Sequence, residues 1–313
     1  MTHVLGIDAG GTKTVALLAD LDGQVLGEGR AGGANLQAEG ELAVEKVLHE
    51  VMGQALGARG SEVDAICLGM AGVDRAHDLE IVRGIMRRIE RKAPTLVVND
   101  ALVALVAGAG DAPGIVIICG TGSIAYGRSA RGLAARAGGW GWLLGDEGSG
   151  YWIAAHALRA VARAADGRGP ATSLTPKVLE HFGVAKPSDL IREVYERQVR
   201  HHALAQVARH VAKARDEGDD IATQILEQAA HELVAAARSV AERLAMREEA
   251  FDFVLAGGVF HGVPWLADEL DRRLPAIAAN ARVTRLVAEP ALGAVRLALA
   301  EAKGGAQIPR YAT

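Results

Sequence analysis

Two glycine-rich turns in this sequence combine a flexible backbone with hydroxyl and charged side chains. One is Asp8-Ala9-Gly10-Gly11-Thr12-Lys13-Thr14, and the other is Gly120-Thr121-Gly122-Ser123. A phosphate group is bound where several backbone N–H groups converge and no Cβ stands in the way, which is why such loops are rich in glycine. We predict that the two turns grip nucleotide phosphates from opposite sides, through Gly10, Gly11, Thr12, Lys13, Thr14, Gly120, Thr121, Gly122 and Ser123.

The first turn is not a Walker A loop, because Thr12 separates Gly11 from Lys13 where that motif requires adjacent residues. A Walker A loop also leads into a helix, whereas the residues from Thr14 to Ala19 favour a strand. The glycines at 108–110 and 145–150 lack the strand–turn–helix context of a dinucleotide site. For each of the two phosphate turns, an ordinary hairpin turn remains the structural alternative.

Two carboxylates accompany these turns. Asp8 beside a phosphate loop would be repelled unless a cation lies between them, so we predict that it binds Mg²⁺, in part through water. Asp100 follows a short buried strand, Thr95 to Val98, and precedes a helix. It suits a helix N-cap, but the carboxyl ends of strands in open α/β sheets also line ligand crevices.

The elements that carry these residues form a pattern that occurs twice. Strand, glycine turn, strand and polar turn follow one another from His3 and again from Gly114, and 151–246 is almost wholly helical in pattern. We therefore predict an α/β fold of duplicated mixed sheets flanked by helices, with two lobes facing each other across a cleft. The predicted N-terminal lobe is 1–112 and the C-terminal lobe is 113–289. A final helix in 290–313 is expected to pack back on the N-terminal lobe.

Composition restricts the class of protein. The 313 residues are 50% hydrophobic and carry a formal net charge of −4, without the basic face of a nucleic-acid or acidic-membrane binder. Both cysteines lie in apolar runs, and no signal peptide or membrane-spanning run is evident. We expect a cytoplasmic protein with neither nucleic-acid nor membrane partners.

Five segments in order along nearly the whole chain resemble the N-acetylglucosamine kinase family. They are Asp8 to Thr14, Asn99-Asp100, Gly120 to Ser123, Ala137 to Ser149 and Ala256-Gly257-Gly258-Val259. That family is in the BadF/BadG/BcrA/BcrD branch of the superfamily of sugar kinases, heat-shock ATPases and actin. The resemblance implies a two-lobed actin-like, ribonuclease H-like fold that uses ATP and Mg²⁺ to phosphorylate an amino sugar. N-acetylglucosamine, at its 6-hydroxyl, is the leading acceptor, and we expect a homodimer.

The resemblance also implies roles for single residues. Asp100 would be the base that accepts the proton of the attacking hydroxyl, and Gly257 and Gly258 would lie under the adenosine. The segment from Gly138 to Ser149 carries most of the likeness to amino-sugar kinases. Trp140 would cover an apolar sugar face or hold its loop rigid, and the sequence does not separate these two roles. The residues expected around the sugar are Asn35, Asn99, Asp100, Gly139, Trp140 and Asp146.

Other functions compete with this one. Glucosamine is the alternative acceptor, and N-acetylmuramic acid is a further candidate. A different class is the ATP-driven activator of a radical dehydratase, in which two cysteines of each subunit hold a [4Fe–4S] cluster. Cys67 and Cys119 match that number, but both are expected to be buried in separate strands, and Gly138 to Ser149 has no role there. A non-catalytic sugar-responsive regulator is the third possibility.

Overall fold

The computed structural model describes residues 3–59, 62–73, 76–89, 93–196 and 200–312. The first part of the chain contains β1 (His3–Ala9), β2 (Lys13–Asp20), β3 (Val25–Gly32), α1 (Leu36–Glu39), α2 (Glu41–Leu56), β4 (Ala65–Met70), α3 (Ala76–Arg88), β5 (Thr95–Asn99) and α4 (Asp100–Ala109). The middle contains β6 (Gly114–Cys119), β7 (Ser123–Arg128), β8 (Leu133–Gly138), α5 (Gly150–Ala165), α6 (Leu174–Phe182), α7 (His201–Ala205), α8 (Ala208–Asp216) and α9 (Asp220–Arg243). The last part contains β9 (Asp252–Ala256), α10 (Gly258–Gly262), α11 (Pro264–Arg273), β10 (Arg282–Arg285), α12 (Ala291–Ala302) and β11 (Arg310–Tyr311).

The strands form two sheets that share a five-strand topology, and β11 adds a sixth strand to the second sheet. The first sheet has the order β3-β2-β1-β4-β5, and the second has the order β10-β9-β6-β7-β8-β11. In each sheet the central strand pairs antiparallel with the strand that follows it and parallel with a strand that comes much later, β4 or β9. The predicted duplicated mixed-sheet architecture is therefore confirmed.

Helices cover both faces of each sheet. Successive side chains of a strand point to opposite faces, and in β1 Leu5 packs with α2 and α3 whereas Val4 faces α4 and α12. The cluster around α4 and α12 also takes in Val116 and Val254 of the second sheet, so these two helices lie between the sheets. The other face of the second sheet packs on α5, α8 and α9.

The closing helix α12 packs against the first sheet. The Arg296 guanidinium donates to the Val106 carbonyl of α4 at 2.8 Å, and the Lys303 ammonium donates to the Leu21 carbonyl at 3.3 Å. Both acceptors lie in the first half of the chain, so α12 connects the end of the sequence to its beginning. The lobe boundaries after 112 and after 289 stay predictions.

Local sequence patterns missed three elements. β8 is rich in alanine and glycine, which favour strands weakly, and β11 spans two residues that pair only with β8. α10 is a five-residue helix directly after Gly257, for which the sequence pattern predicts no helix. The sequence pattern also predicts a last strand from Val283 to Val287, but β10 ends at Arg285 and Val287 is 94% exposed.

The helices of the middle of the chain were also predicted. The range 151–246 is largely helical through α5 to α9, as predicted, except for 197–199, which lie outside the described residues. Among the described residues, none of the helices combines the length and the apolar composition that crossing a bilayer requires.

Candidate active site

The first glycine turn connects β1 to β2 in a tight hairpin. The Gly10 N–H donates to the Lys13 carbonyl at 3.0 Å, and the Gly10 carbonyl accepts from the Ala34 N–H at 3.0 Å. The second of these bonds brings the segment before α1, including Asn35, beside the turn. Gly11, Thr12 and Lys13 are exposed, as a phosphate-binding loop requires.

The second glycine turn connects β6 to β7 at the equivalent place in the other sheet. It is closed by the Gly120 N–H, which donates to the Gly122 carbonyl at 2.9 Å. The Thr12 and Thr121 hydroxyl oxygens are 3.3 Å apart. Two turns that are 109 residues apart in the sequence therefore face each other across the two sheets.

Two of the nine predicted phosphate-binding residues turn their hydroxyls away from this meeting point. Thr14 and Ser123 hold equivalent positions at the start of β2 and β7, and both are buried. The Thr14 hydroxyl donates to the Gly32 carbonyl at 2.8 Å, and the Ser123 hydroxyl donates to the Glu147 carbonyl at 2.7 Å. Each hydroxyl therefore anchors its own turn to a neighbouring segment.

Asp8 is a buried carboxylate just before the first turn. Its side chain lies in β1, and the residue is only 8% exposed. Burial, and then the negative charge of Asp100, raise the pKa of Asp8 to about 7, although the Lys13 ammonium acts in the opposite direction. The mutual repulsion places Asp8 and Asp100 in one electrostatic site, although Asp8 lies in β1 and Asp100 begins α4 after β5.

This arrangement fits a magnesium ion. A divalent cation favours the ionised form of both carboxylates, so it would lower the pKa of Asp8 against the effect of burial and of the Asp100 charge. Among the described residues, His, Cys, Asp and Glu form no group of three or more that could hold a metal. Mg²⁺ at Asp8 would therefore take its other oxygen ligands from phosphates and water, which suits an ion that retains several waters.

Asn99 and Asp100 have different positions at the start of α4. The Asn99 Oδ1 accepts a hydrogen bond from the Ala101 N–H at 2.8 Å, so Asn99 is the N-cap. The structural alternative considered for Asp100, that it caps this helix, is therefore wrong. Asp100 is instead the first residue of the helix and half-buried, so its carboxylate lies near the positive end of the helix dipole.

Glu289 was not anticipated from the sequence. It lies just before Pro290 at the start of α12, and its Oε1 is 2.5 Å from the Lys13 ammonium and 3.8 Å from the Arg30 guanidinium. Its charge also contributes to the raised pKa of Asp8. The only local signal was an acidic residue at the beginning of a helix, and nothing in the neighbouring sequence indicates Lys13 as its partner.

The predicted sugar segment leaves β8 and returns to the second turn. Gly139 and Trp140 follow the strand end, and Trp140 is 61% exposed. Its ring packs under the Arg136 guanidinium, whose carbon is 5.0 Å from the ring centroid. Asp146 has a φ of 59°, and its Oδ1 accepts from the Ser123 N–H at 3.3 Å.

Burial raises the pKa of the Asp146 carboxyl. Its bond to the Ser123 N–H places this predicted sugar ligand directly against the second phosphate turn. The next residues enter α5, whose N-cap is Ser149. Asp146 therefore lies in the loop before α5 and outside its first turn.

Gly257 ends β9 beside the second turn. It has a φ of 111°, and a Cβ built on it would lie 2.3 Å from the Cys119 carbonyl oxygen. Only glycine allows this approach, because any side chain would overlap the end of β6. The predicted adenosine-binding glycines, Gly257 and Gly258, thus adjoin Gly120.

Both cysteines are buried in separate sheets. Cys67 lies in β4 and Cys119 in β6, each with no exposed surface, and burial raises the pKa of both thiols. The Cys119 thiol donates to the Gly148 carbonyl at 3.3 Å. Neither thiol is available to a cluster shared between subunits, which an activator would require.

The likeness to known proteins follows the same sites. The model of the BadF/BadG/BcrA/BcrD ATPase family matches residues 5–298. The chain belongs to this family. The matched range contains both phosphate turns, Asp8, Asp100 and the segment from Gly138 to Ser149.

Three known proteins are similar to this chain over nearly its whole length. The N-acetylmuramic acid/N-acetylglucosamine kinase of Clostridium acetobutylicum is 37% identical, over 96% of this chain and 99% of its own. The N-acetyl-D-glucosamine kinase of Dictyostelium discoideum is 35% identical, over 94% and 97% respectively. A solved structure of a protein from Chromobacterium violaceum superposes with a TM-score of 0.74 at 29% identity, covering 96% of this chain and 99% of that one. The predicted actin-like fold is thereby confirmed.

Proposed function

We propose that this protein transfers the γ-phosphoryl group of ATP to the 6-hydroxyl of N-acetylglucosamine. The observation that carries the proposal is that the charge of Asp100 acts on Asp8 beside two glycine turns. The Thr12 and Thr121 hydroxyl oxygens of these turns lie 3.3 Å apart. The similarity to two amino-sugar kinases over nearly the whole chain supports an amino-sugar kinase over an iron–sulfur activator. The buried cysteines support the same choice.

Asp100 is the proposed base of the reaction. Phosphoryl transfer depends mainly on positioning and electrostatic stabilisation, so Asp100 would orient the sugar hydroxyl and accept its proton as the O–P bond forms. Asp100 begins α4 directly after the Asn99 cap, and its negative charge acts on Asp8. A sugar hydroxyl bound by Asp100 would therefore face the phosphates that the two turns are proposed to hold.

The two turns are the proposed ATP site. Backbone N–H groups of Gly10, Gly11, Gly120 and Gly122 would hold the phosphates, with Lys13 supplying a positive charge. Lys13 now pairs with Glu289, so binding ATP would exchange one anionic partner for another. Mg²⁺ near Asp8, when bound, would neutralise charge on the phosphate oxygens. Adenosine would lie over Gly257 and Gly258.

The sugar is proposed to bind between Asn35 and the segment after β8. Gly139, Trp140 and Asp146 would contact it from the second half of the chain. Asn99 would contribute a further polar contact from the start of α4. These contacts suit hydroxyl groups, which both donate and accept hydrogen bonds.

Removing the base tests the proposal. We expect Asp100→Asn to lower kcat by about 10²–10⁴-fold, the usual contribution of a general base, while ATP still binds. The control is Asp271→Asn, because Asp271 is an exposed carboxylate on α11. Turnover is followed as ADP release in a coupled assay, and ATP affinity by calorimetry. A near-normal kcat for Asp100→Asn would contradict the assignment.

The acceptor needs its own experiment. Glucosamine is the alternative, and the name of the Clostridium acetobutylicum relative adds N-acetylmuramic acid. The same assay with glucose, glucosamine, N-acetylglucosamine and N-acetylmuramic acid ranks them by kcat/KM. Turnover with none of the four would contradict the sugar-kinase proposal.

The assembly and location of the protein stay predictions. We propose a cytoplasmic homodimer without nucleic-acid or membrane partners. Light scattering after size-exclusion chromatography measures the mass in solution directly, and the 32.6 kDa of one chain is the value that would contradict a dimer.

A further inference from the structure

A cavity of about 310 Å³ lies beside the predicted sugar segment, at the edge of the second sheet. Its lining comes from Arg136 in β8, Trp140 after it, Arg243 at the end of α9 and Tyr311 in β11. Two guanidinium groups and two aromatic rings therefore converge on one opening, and none of the described residues that line it is acidic. We call these four residues the arginine pocket.

The charge of the arginine pocket favours an anion. Arg243 donates one hydrogen bond, from Nη1 to the Arg136 carbonyl at 2.9 Å, and among the described residues it makes no ion pair. A guanidinium has five N–H donors in a planar fork, which matches the two oxygens of a carboxylate. Arg136 adds a second positive charge to the same opening.

The aromatic rings indicate what carries the anion. Trp140 and Tyr311 are 61% and 45% exposed, and the Tyr311 ring is held edge-on against Tyr126 at 6.3 Å between centroids. Exposed rings of this kind present an apolar face and a polar edge. A carbohydrate with an acidic substituent combines the surfaces that the arginine pocket complements.

The arginine pocket adjoins the predicted sugar site. The Arg136 Nη1 donates to the Gly138 carbonyl at 2.9 Å and lies 3.4 Å from the position that a Cβ on Gly139 would occupy. Gly139 and Trp140 are both predicted sugar contacts. An acidic group on the bound sugar, rather than a separate anion, would therefore lie within reach of the guanidinium groups.

We propose that the arginine pocket binds the carboxylate of an acidic amino-sugar acceptor, with Arg243 as a specificity-determining residue. N-acetylmuramic acid has this chemistry, because it is N-acetylglucosamine with a lactyl ether, and hence a carboxylate, at the 3-position. The inference rests on the proposed amino-sugar kinase activity. It adds that Arg243 contacts the carboxylate of the acidic sugar and makes no corresponding contact with the neutral sugar.

The test compares the two sugars in the wild-type enzyme and in Arg243→Gln. We expect the substitution to raise the KM for N-acetylmuramic acid about ten- to hundredfold, the effect of losing one hydrogen bond to a charged group. The KM for N-acetylglucosamine should change less than about twofold, since that sugar has no carboxylate. The methyl ester of N-acetylmuramic acid should be equally insensitive. Arg238→Gln is the matched control, because Arg238 is an exposed arginine of α9 outside the pocket lining.

The outcomes separate this inference from the proposed function. Equal changes in both KM values, or turnover of N-acetylglucosamine without turnover of N-acetylmuramic acid, would overturn the inference and leave the kinase proposal intact. Absence of turnover with both sugars would instead overturn the kinase proposal. Calorimetric titration of the wild type and Arg243→Gln with N-acetylmuramic acid then decides the inference, which fails if the two proteins bind it equally.

Discussion

The buried carboxylate of Asp8 should make the stability of the ligand-free protein depend on pH in a direction that is unusual for an acid. Its pKa is about 7 in the folded protein, against an ordinary value of 3.8. Between these values the folded chain holds a proton at Asp8 that the unfolded chain has released. The free energy of unfolding therefore falls as pH rises from about 4 to 7, and this contribution is constant above that range.

The magnitude follows from the size of the shift. At about 1.4 kcal/mol for each pKa unit, the shift corresponds to about 4 kcal/mol over the whole range. About 3 kcal/mol of this lies between pH 5 and pH 8. Relaxation around an ionised Asp8 would reduce the value, so we expect about 2–3 kcal/mol in that interval.

Asp8→Asn removes the titration while nearly preserving the shape of the side chain. Relative to the wild type, the variant should gain stability as pH rises from 5 to 8. Urea unfolding followed by circular dichroism, without nucleotide and with a chelator, measures both proteins at each pH. Asp271→Asn provides the control, and it should retain the pH dependence of the wild type.

The same variant should lose kinase activity, because it lacks the carboxylate proposed to bind Mg²⁺. A gain in stability together with a loss of activity is typical of a residue whose environment serves function rather than folding. Parallel stability profiles for Asp8→Asn and the wild type between pH 5 and pH 8 would refute the reasoning. They would mean that Asp8 is ionised in the folded protein at no cost.

Three further predictions concern stability and reactivity. Asn99→Ala should lower the free energy of unfolding by about 1 kcal/mol through loss of the helix cap, as measured by urea unfolding; no change would show that the cap is replaced. Gly293→Ala should lower the free energy of unfolding by about 3 kcal/mol, because the added Cβ would lie 2.0 Å from the Val103 carbonyl oxygen. An unchanged melting temperature would contradict the close packing of α12. Cys67 and Cys119 should resist thiol reagents in the native protein and react after denaturation, and rapid native labelling would contradict their burial.

Much of the fold could be predicted because its signals are local. Glycine turns between apolar strands marked both hairpins, and the recurrence of that pattern at Gly114 indicated the duplication that the two strand orders confirm. The strands β8 and β11 could not be predicted in this way. β8 consists of residues that favour strands weakly. β11 forms only because the chain beyond α12 returns to pair with β8.

The candidate site shows the same difference between local sequence signals and long-range contacts. The sequence by itself determined which residues could act, because residue type and neighbours suffice to indicate a phosphate turn, a carboxylate at a strand end and two buried cysteines. Only the tertiary structure decided how they act together. It brought Thr12 to Thr121, set Asp8 against Asp100, paired Lys13 with Glu289, and made Asn99 rather than Asp100 the helix cap. The first three of these depend on distances between segments far apart in the chain, which are set by the packing of two sheets around α4 and α12 and leave no mark on the neighbouring residues.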